Sequence, residues 1–149
     1  MYGDASILRN QYASMCRWVD FMTAHTRGDL FTFMTQLGDW VALYAEPGSF
    51  FGATPTALTS QAYYALSARI LALTASVLGK AADTEKYTAV YKNAKDAFIK
   101  NFFDAEGTLT AQTQTAHILA LRFDLTPENG VPRPCSVCCN CWTNAAGIW

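Results

Sequence analysis

Charge is what this sequence has least of. Only 15% of its 149 residues are Asp, Glu, Lys or Arg, while 51% are apolar; ordinary soluble domains carry about 25% charged residues. Either some helices are covered on more than one side, or part of the surface expects a partner. Intrinsic disorder is excluded by the same figures, because disorder goes with few apolar residues and high net charge. A basic excess is also missing. Eleven Lys and Arg oppose twelve Asp and Glu, for a net charge of −1, which argues against a nucleic-acid or anionic-membrane surface. No transmembrane span is expected: the most apolar stretch, 62–78, is interrupted by Arg69 and several hydroxyl residues, and a span needs about 20 apolar positions. Residues 1–10 have no charged segment followed by an apolar one, so they do not read as a signal peptide, and the compartment is left unassigned. Nor is there a nucleotide-binding glycine loop, a G-x-S-x-G elbow or an H-E-x-x-H pair. Cysteine is nearly absent from the body of the chain. Cys16 stands alone, and Cys135, Cys138, Cys139 and Cys141 crowd the last residues, which is not a disulfide framework.

What the sequence does contain is helical period. Leu8, Tyr12, Met15, Val19 and Met22 are spaced by alternate steps of four and three, which draws one apolar stripe along a helix over 5–23. Asp4 can cap it. A second helix is expected over 55–78, with Ala62, Leu66, Ile70, Leu73 and Val77 on its buried face, Thr54-Pro55 as its start and Gly79 as its stop. A third begins at Asp83 and carries Tyr87, Tyr91, Ala94, Phe98 and Phe102. A fourth covers 111–122, with Gln114, Ile118 and Leu121 on one side, Ala116 and Ala120 beside them, and Pro127 forbidding continuation. The short turns between them imply antiparallel helical hairpins. No strand ladder is evident, although 31–34 could form a short extended piece.

Two regions break this pattern. The connection 25–53 is long and rich in aromatics, with Gly38-Asp39-Trp40 followed by Tyr44, Glu46, Phe50 and Phe51. Carbohydrate sites combine carboxylates, which accept from sugar hydroxyls, with rings that cover apolar sugar faces. The plainer alternative is a loop folded over the core, with Trp40 and the phenylalanines as packing and Asp39 as a turn or cap residue. The end, 129–149, has no helical period. Cys135 and Cys138 have the spacing of a zinc knuckle, yet four sulfurs within seven residues cannot readily surround a tetrahedral ion, so no metal site is expected. A zinc-responsive tail would announce itself as stoichiometric zinc. His25 and His117 have no acid or nucleophile at motif spacing. Asp29, after Arg27-Gly28, reads as a turn residue, and Tyr63-Tyr64 as a pair split between the core and a neighbouring helix.

Taken in order, Tyr2-Gly3-Asp4, Ile7-Leu8, Gln11-Tyr12, Ser14-Met15, Trp18-Val19-Asp20, Gly38-Asp39-Trp40-Val41-Ala42, Phe51-Gly52-Ala53-Thr54-Pro55, Ala62-Tyr63-Tyr64, Leu78-Gly79-Lys80 and Gln114-Thr115-Ala116 resemble the middle of the catalytic domain of bacterial and fungal α-L-rhamnosidases. The resemblance reaches to about Pro127. It implies an all-α fold, helical hairpins forming an incomplete part of an (α/α)6 toroid over 1–128. It also implies inverting hydrolysis of terminal α-L-rhamnosyl bonds, without a cofactor, on a rhamnosyl glycoside. In that scheme an acid protonates the leaving oxygen while a carboxylate activates water on the opposite face. The family's general-acid segment precedes the Tyr-Gly-Asp helix and its Trp-Glu base segment follows later, and both are expected to be missing here. No residue of this chain is therefore assigned as catalytic. Asp39 and Trp40 are the positions implied to bind substrate, and 129–149 departs from the family pattern. A competing expectation is a helical-hairpin interaction module without catalysis. Self-association through exposed apolar faces is expected in either case.

Overall fold

The computed structural model describes residues 4–33, 37–40 and 48–127; the cysteine-bearing tail, Tyr44 and Glu46 lie outside the described residues. The element order is α1 (Ser6–Ala24), β1 (Thr26–Arg27), β2 (Leu30–Phe31), α2 (Thr56–Val77), α3 (Ala81–Phe102) and α4 (Gln114–Arg122). The two short strands pair antiparallel, Thr26 with Phe31 and Arg27 with Leu30, around a turn containing Gly28 and Asp29. They are the one two-stranded sheet among the described residues, where the sequence offered only an extended piece.

The stripe of α1 faces the core as its spacing predicts. Val19 and Met22 are buried, and Tyr12 and Met15 pack against them. Asp4 sits one residue before the N-cap position, where its Oδ1 accepts from the Ser6 N–H at 2.8 Å and its Oδ2 from the Ser6 hydroxyl at 2.8 Å. That backbone hydrogen bond holds the Asp4 carboxyl below its ordinary range. Two hydroxyls fasten α1 to its neighbours: Tyr12 donates to Asp83 Oδ2 at 2.7 Å, and Thr23 meets the Tyr64 hydroxyl at 2.9 Å. Burial first, then the Asp83 contact, pushes the Tyr12 phenol well above its usual range. Asp83 is thus a first-turn residue of α3, which begins two residues earlier than the sequence placed it.

Helices α2 and α3 form the central hairpin. Gly79, at φ +71°, lets the chain reverse: its N–H donates to Ser76 O at 3.0 Å and the Lys80 N–H to Ala75 O at 2.9 Å, the paired bonds of a Schellman ending. From α3 the hairpin buries Tyr87, Ala94, Ala97, Phe98 and Phe102, with Tyr91 half-covered, in agreement with the predicted stripe. On α2 the expected face is corrected. Leu58, Gln61, Ala62, Ala65, Ala68, Leu71, Ala72 and Ala75 are buried, while Ile70 (45% exposed), Leu73 (59%) and Val77 point outward. The alanines let α3 approach closely, and the bulky residues fall on the other side of the same helix. The fourth helix repeats the pattern. Ala116, His117, Leu119 and Ala120 are buried, whereas Ile118 and Leu121 are exposed.

Helix α4 begins at a side-chain cap, with Thr113 Oγ1 accepting from the Ala116 N–H at 3.2 Å. It ends at Asp124, which takes φ +59° in the position that glycine usually fills. The Tyr91 hydroxyl, 3.3 Å from Asp124 Oδ2, and Lys95, 3.5 Å from Oδ1, hold that side chain. Beneath the sheet, Gln61 is wholly buried. Its Oε1 accepts from the Phe31 N–H at 2.9 Å and its Nε2 donates to Ala94 O at 3.0 Å, so one side chain joins β2, α2 and α3.

Candidate functional site

The connection into α2 is closed by a small clasp. Trp40 and Phe51 form an antiparallel bridge, and the Gly52 N–H donates to Asp39 O at 2.6 Å. Gly38 enters this clasp at φ +62°, and a Cβ there would stand 2.7 Å from Thr56 Cγ2, so the backbone lies directly on the start of α2 with no room for a side chain. Trp40 is 51% exposed. Phe50 stacks on it with ring centroids 5.5 Å apart, and Phe51 meets it edge-on at 5.5 Å. The three rings make an aromatic platform that is open to solvent. The sequence-predicted pair is therefore placed together on one clasp, with the carboxylate on the half-buried side and the indole outside.

Among the described residues, Asp39 is held by a side-chain hydroxyl and not by backbone amides. Its Oδ2 accepts from the Thr54 hydroxyl at 3.0 Å, and Thr54 Oγ1 lies 2.7 Å from Thr113 Oγ1. Thr54 precedes α2 and Thr113 caps α4, so the N-terminal ends of these two helices meet at the carboxylate. Farther along, Tyr63 of α2 packs edge-on against Phe123 at 5.3 Å, just past the end of α4, so the helices run in the same direction. Sequence reasoning singled out Thr54 only as a helix start and missed Thr113; a Thr three residues before Ala116 was the available cap signal.

Beside the clasp, Trp18, Phe21, Phe33, Gly38, Ser60 and Tyr63 help to line an open cavity of about 550 Å³. The two histidines are held by their own helices. His25 Nδ1 lies 2.8 Å from Phe21 O and His117 Nδ1 2.8 Å from Thr113 O; a carbonyl only accepts, so Nδ1 carries the proton in each. Among the described residues no cluster of His, Cys, Asp or Glu is grouped to hold a metal ion, and no helix is long and apolar enough to cross a membrane.

The model of the bacterial α-L-rhamnosidase six-hairpin glycosidase domain matches residues 1–132. The chain belongs to that family. It is 39% identical over 127 residues to an α-L-rhamnosidase of Formosa agariphila, covering 85% of this chain and 14% of the relative. It is 35% identical over 136 residues to one from Alteromonas sp. (strain LOR), covering 88% and 15%. Among solved structures it is similar to Streptomyces avermitilis α-L-rhamnosidase complexed with L-rhamnose, with 30% identity, a TM-score of 0.73, and coverage of 85% of this chain and 11% of that one. It is similar also to the native α-L-rhamnosidase of Aspergillus terreus, with 30% identity, a TM-score of 0.73, and coverage of 86% and 15%.

The four helices are thus part of an α-L-rhamnosidase six-hairpin toroid, and the chain spans about one-seventh of the length of the curated relatives named above. Membership accounts for the low charge. A helix of such a ring has neighbours on more than one side, so α2 carries apolar residues around most of its circumference. Helix periodicity alone then cannot say which face meets α3.

Proposed function

We propose that the Asp39–Trp40 clasp binds a terminal α-L-rhamnosyl group of a glycoside, as part of an inverting glycoside hydrolase domain, and that this chain alone does not cleave it. The observation that carries this reading is a carboxylate and a solvent-open indole on one clasp, the indole flanked by Phe50 and Phe51. A rhamnosyl ring offers hydroxyls for Asp39 Oδ1 and an apolar edge, with its methyl group, for the aromatic platform. Similarity to α-L-rhamnosidases, one of them solved with L-rhamnose, supports the choice of this sugar. Inverting hydrolysis needs a second carboxyl group roughly 6.5–9.5 Å from the first, and Asp39 is the one carboxylate described on the clasp. Losing general acid–base help costs about 10²–10⁴ in rate for each group.

L-rhamnose titrated into the chain, followed by the Trp indole N–H resonances, should therefore shift Trp40. Asp39→Ala should weaken binding about 10- to 100-fold, the worth of a hydrogen bond to a charged group. L-mannose, with a hydroxyl on the rhamnose methyl, should bind more weakly. An aryl α-L-rhamnoside should release no sugar. Saturable binding that is indifferent to both Asp39→Ala and Trp40→Ala would remove the clasp from the reading.

A second reading rests on a separate observation, the exposed Ile70, Leu73 and Val77 of α2 and Ile118 and Leu121 of α4. Exposed apolar surface of this kind marks a site of association. In this reading the chain pairs with itself through these faces. Sedimentation should show a mass that rises with concentration, and Leu73→Lys together with Ile118→Lys should return it to the monomer value. A monomer at every concentration would end this reading.

A further inference from the structure

We infer that Thr54 and Thr113 are positioning residues for Asp39, forming a hydrogen-bond relay of fixed direction that aims one carboxylate oxygen at the ligand; the ligand part of this inference rests on the sugar-binding reading of the clasp. The direction follows from counting protons. A carboxylate only accepts, so the single hydroxyl proton of Thr54 goes to Asp39 Oδ2, across 3.0 Å. The 2.7 Å contact between Thr54 and Thr113 must then be supplied by the proton of Thr113. Thr113 Oγ1 in turn accepts from the Ala116 N–H at 3.2 Å. The order is Ala116 N–H to Thr113, Thr113 to Thr54, and Thr54 to Asp39, with each donor facing the carboxylate.

Three features make this more than local packing. Thr54 is only 2% exposed, so water does not compete for its hydroxyl. The relay spans residues from 39 to 116 and is anchored in the first turn of α4, a rigid element. Hydrogen bonds in such a chain polarise one another, which strengthens the last of them. With Oδ2 committed to Thr54, Asp39 Oδ1 accepts from no described residue and is left for a hydroxyl of the ligand. A carboxylate on a loop would otherwise turn about its own bonds. The relay fixes its plane against α2, as Gly38 fixes the backbone beside it.

The test uses the whole chain and two readouts. Thr54→Val keeps the shape and removes the hydroxyl, and Thr54→Ser restores it. L-rhamnose affinity should fall about tenfold in Thr54→Val, the scale of a charge-assisted hydrogen bond, and return to within twofold of the parent in Thr54→Ser, with both variants folded by circular dichroism. Independently of any ligand, Asp39→Asn should move the Ala116 amide proton resonance, although the two residues are not in contact. The same change made in the Thr54→Val background should leave Ala116 where it was. An Ala116 amide indifferent to Asp39→Asn, or a Thr54→Ser variant that behaves as Thr54→Val, overturns the relay. If the Ala116 response appears but the parent chain binds no L-rhamnose, the relay stands and the sugar reading falls.

Discussion

Phe98→Ala should cost about 3–5 kcal/mol of stability, the range for deleting a fully buried aromatic ring. Phe98 has no exposed surface. Its ring lies 5.1 Å from Phe102 and 6.2 Å from Phe103, centroid to centroid, and it sits where α3 presses on the alanine face of α2. None of these neighbours can collapse far into the gap, because α2 is already at close approach. Urea unfolding should show a lower midpoint with an unchanged slope. The informative comparison is Ile70→Ala, at a 45% exposed position, which should stay within about 0.5 kcal/mol of the parent. If the two costs were reversed, the buried face of α2 would be the one its large apolar residues mark, and the packing described above would be wrong.

Gln61→Leu is the second large effect. The leucine would fit the same volume, so the loss is chemical and not steric. The Phe31 N–H would be left in the interior with no acceptor, at about 1–3 kcal/mol, and the Nε2 bond to Ala94 O would go with it. Because Gln61 links β2 to both α2 and α3, the damage should be local before it is global. Amide exchange at Phe31 should accelerate well beyond that of Leu71 or Phe98 in the same variant. Equal stability and equal Phe31 protection in Gln61→Leu would mean that the N–H has found another acceptor, and that the clamp is not what holds the hairpin down.

These two residues also mark what the sequence made legible. Phe98 lies on a stripe of Tyr87, Tyr91, Ala94 and Phe102 with polar residues between, so one face of α3 could be named from spacing alone. The same holds for Val19 and Met22 on α1. On α2, two apolar sets share the helical period, one small and one large. Hydrophobicity favours the large set, while close helix–helix contact favours the small one, and the second consideration wins against α3. On α4 the small set is again the buried one, with Ala116 and Ala120 inside and Ile118 and Leu121 exposed. Gln61 gave no signal, since a buried amide looks like any polar residue until its partners are known. The pairing of Asp39 with Trp40 was visible as a motif, and the platform of Phe50 and Phe51 was foreshadowed by the aromatic run. The meeting of Thr54 with Thr113 was not, because nothing in a sequence places two residues 59 positions apart side by side.

The clasp at Trp40 and Phe51 has a consequence for how the domain can vary. The Gly52 N–H and Asp39 O hold the two ends of the intervening chain together, so closure is fixed outside that segment. Where the two ends of a loop are pinned in this way, doubling the loop length costs only about 0.6 kcal/mol in closure entropy. An insertion between the clasp ends therefore carries a small entropic cost while Asp39 and Trp40 stay in register. This is where a lineage could change what lies around the ligand without refolding what holds it.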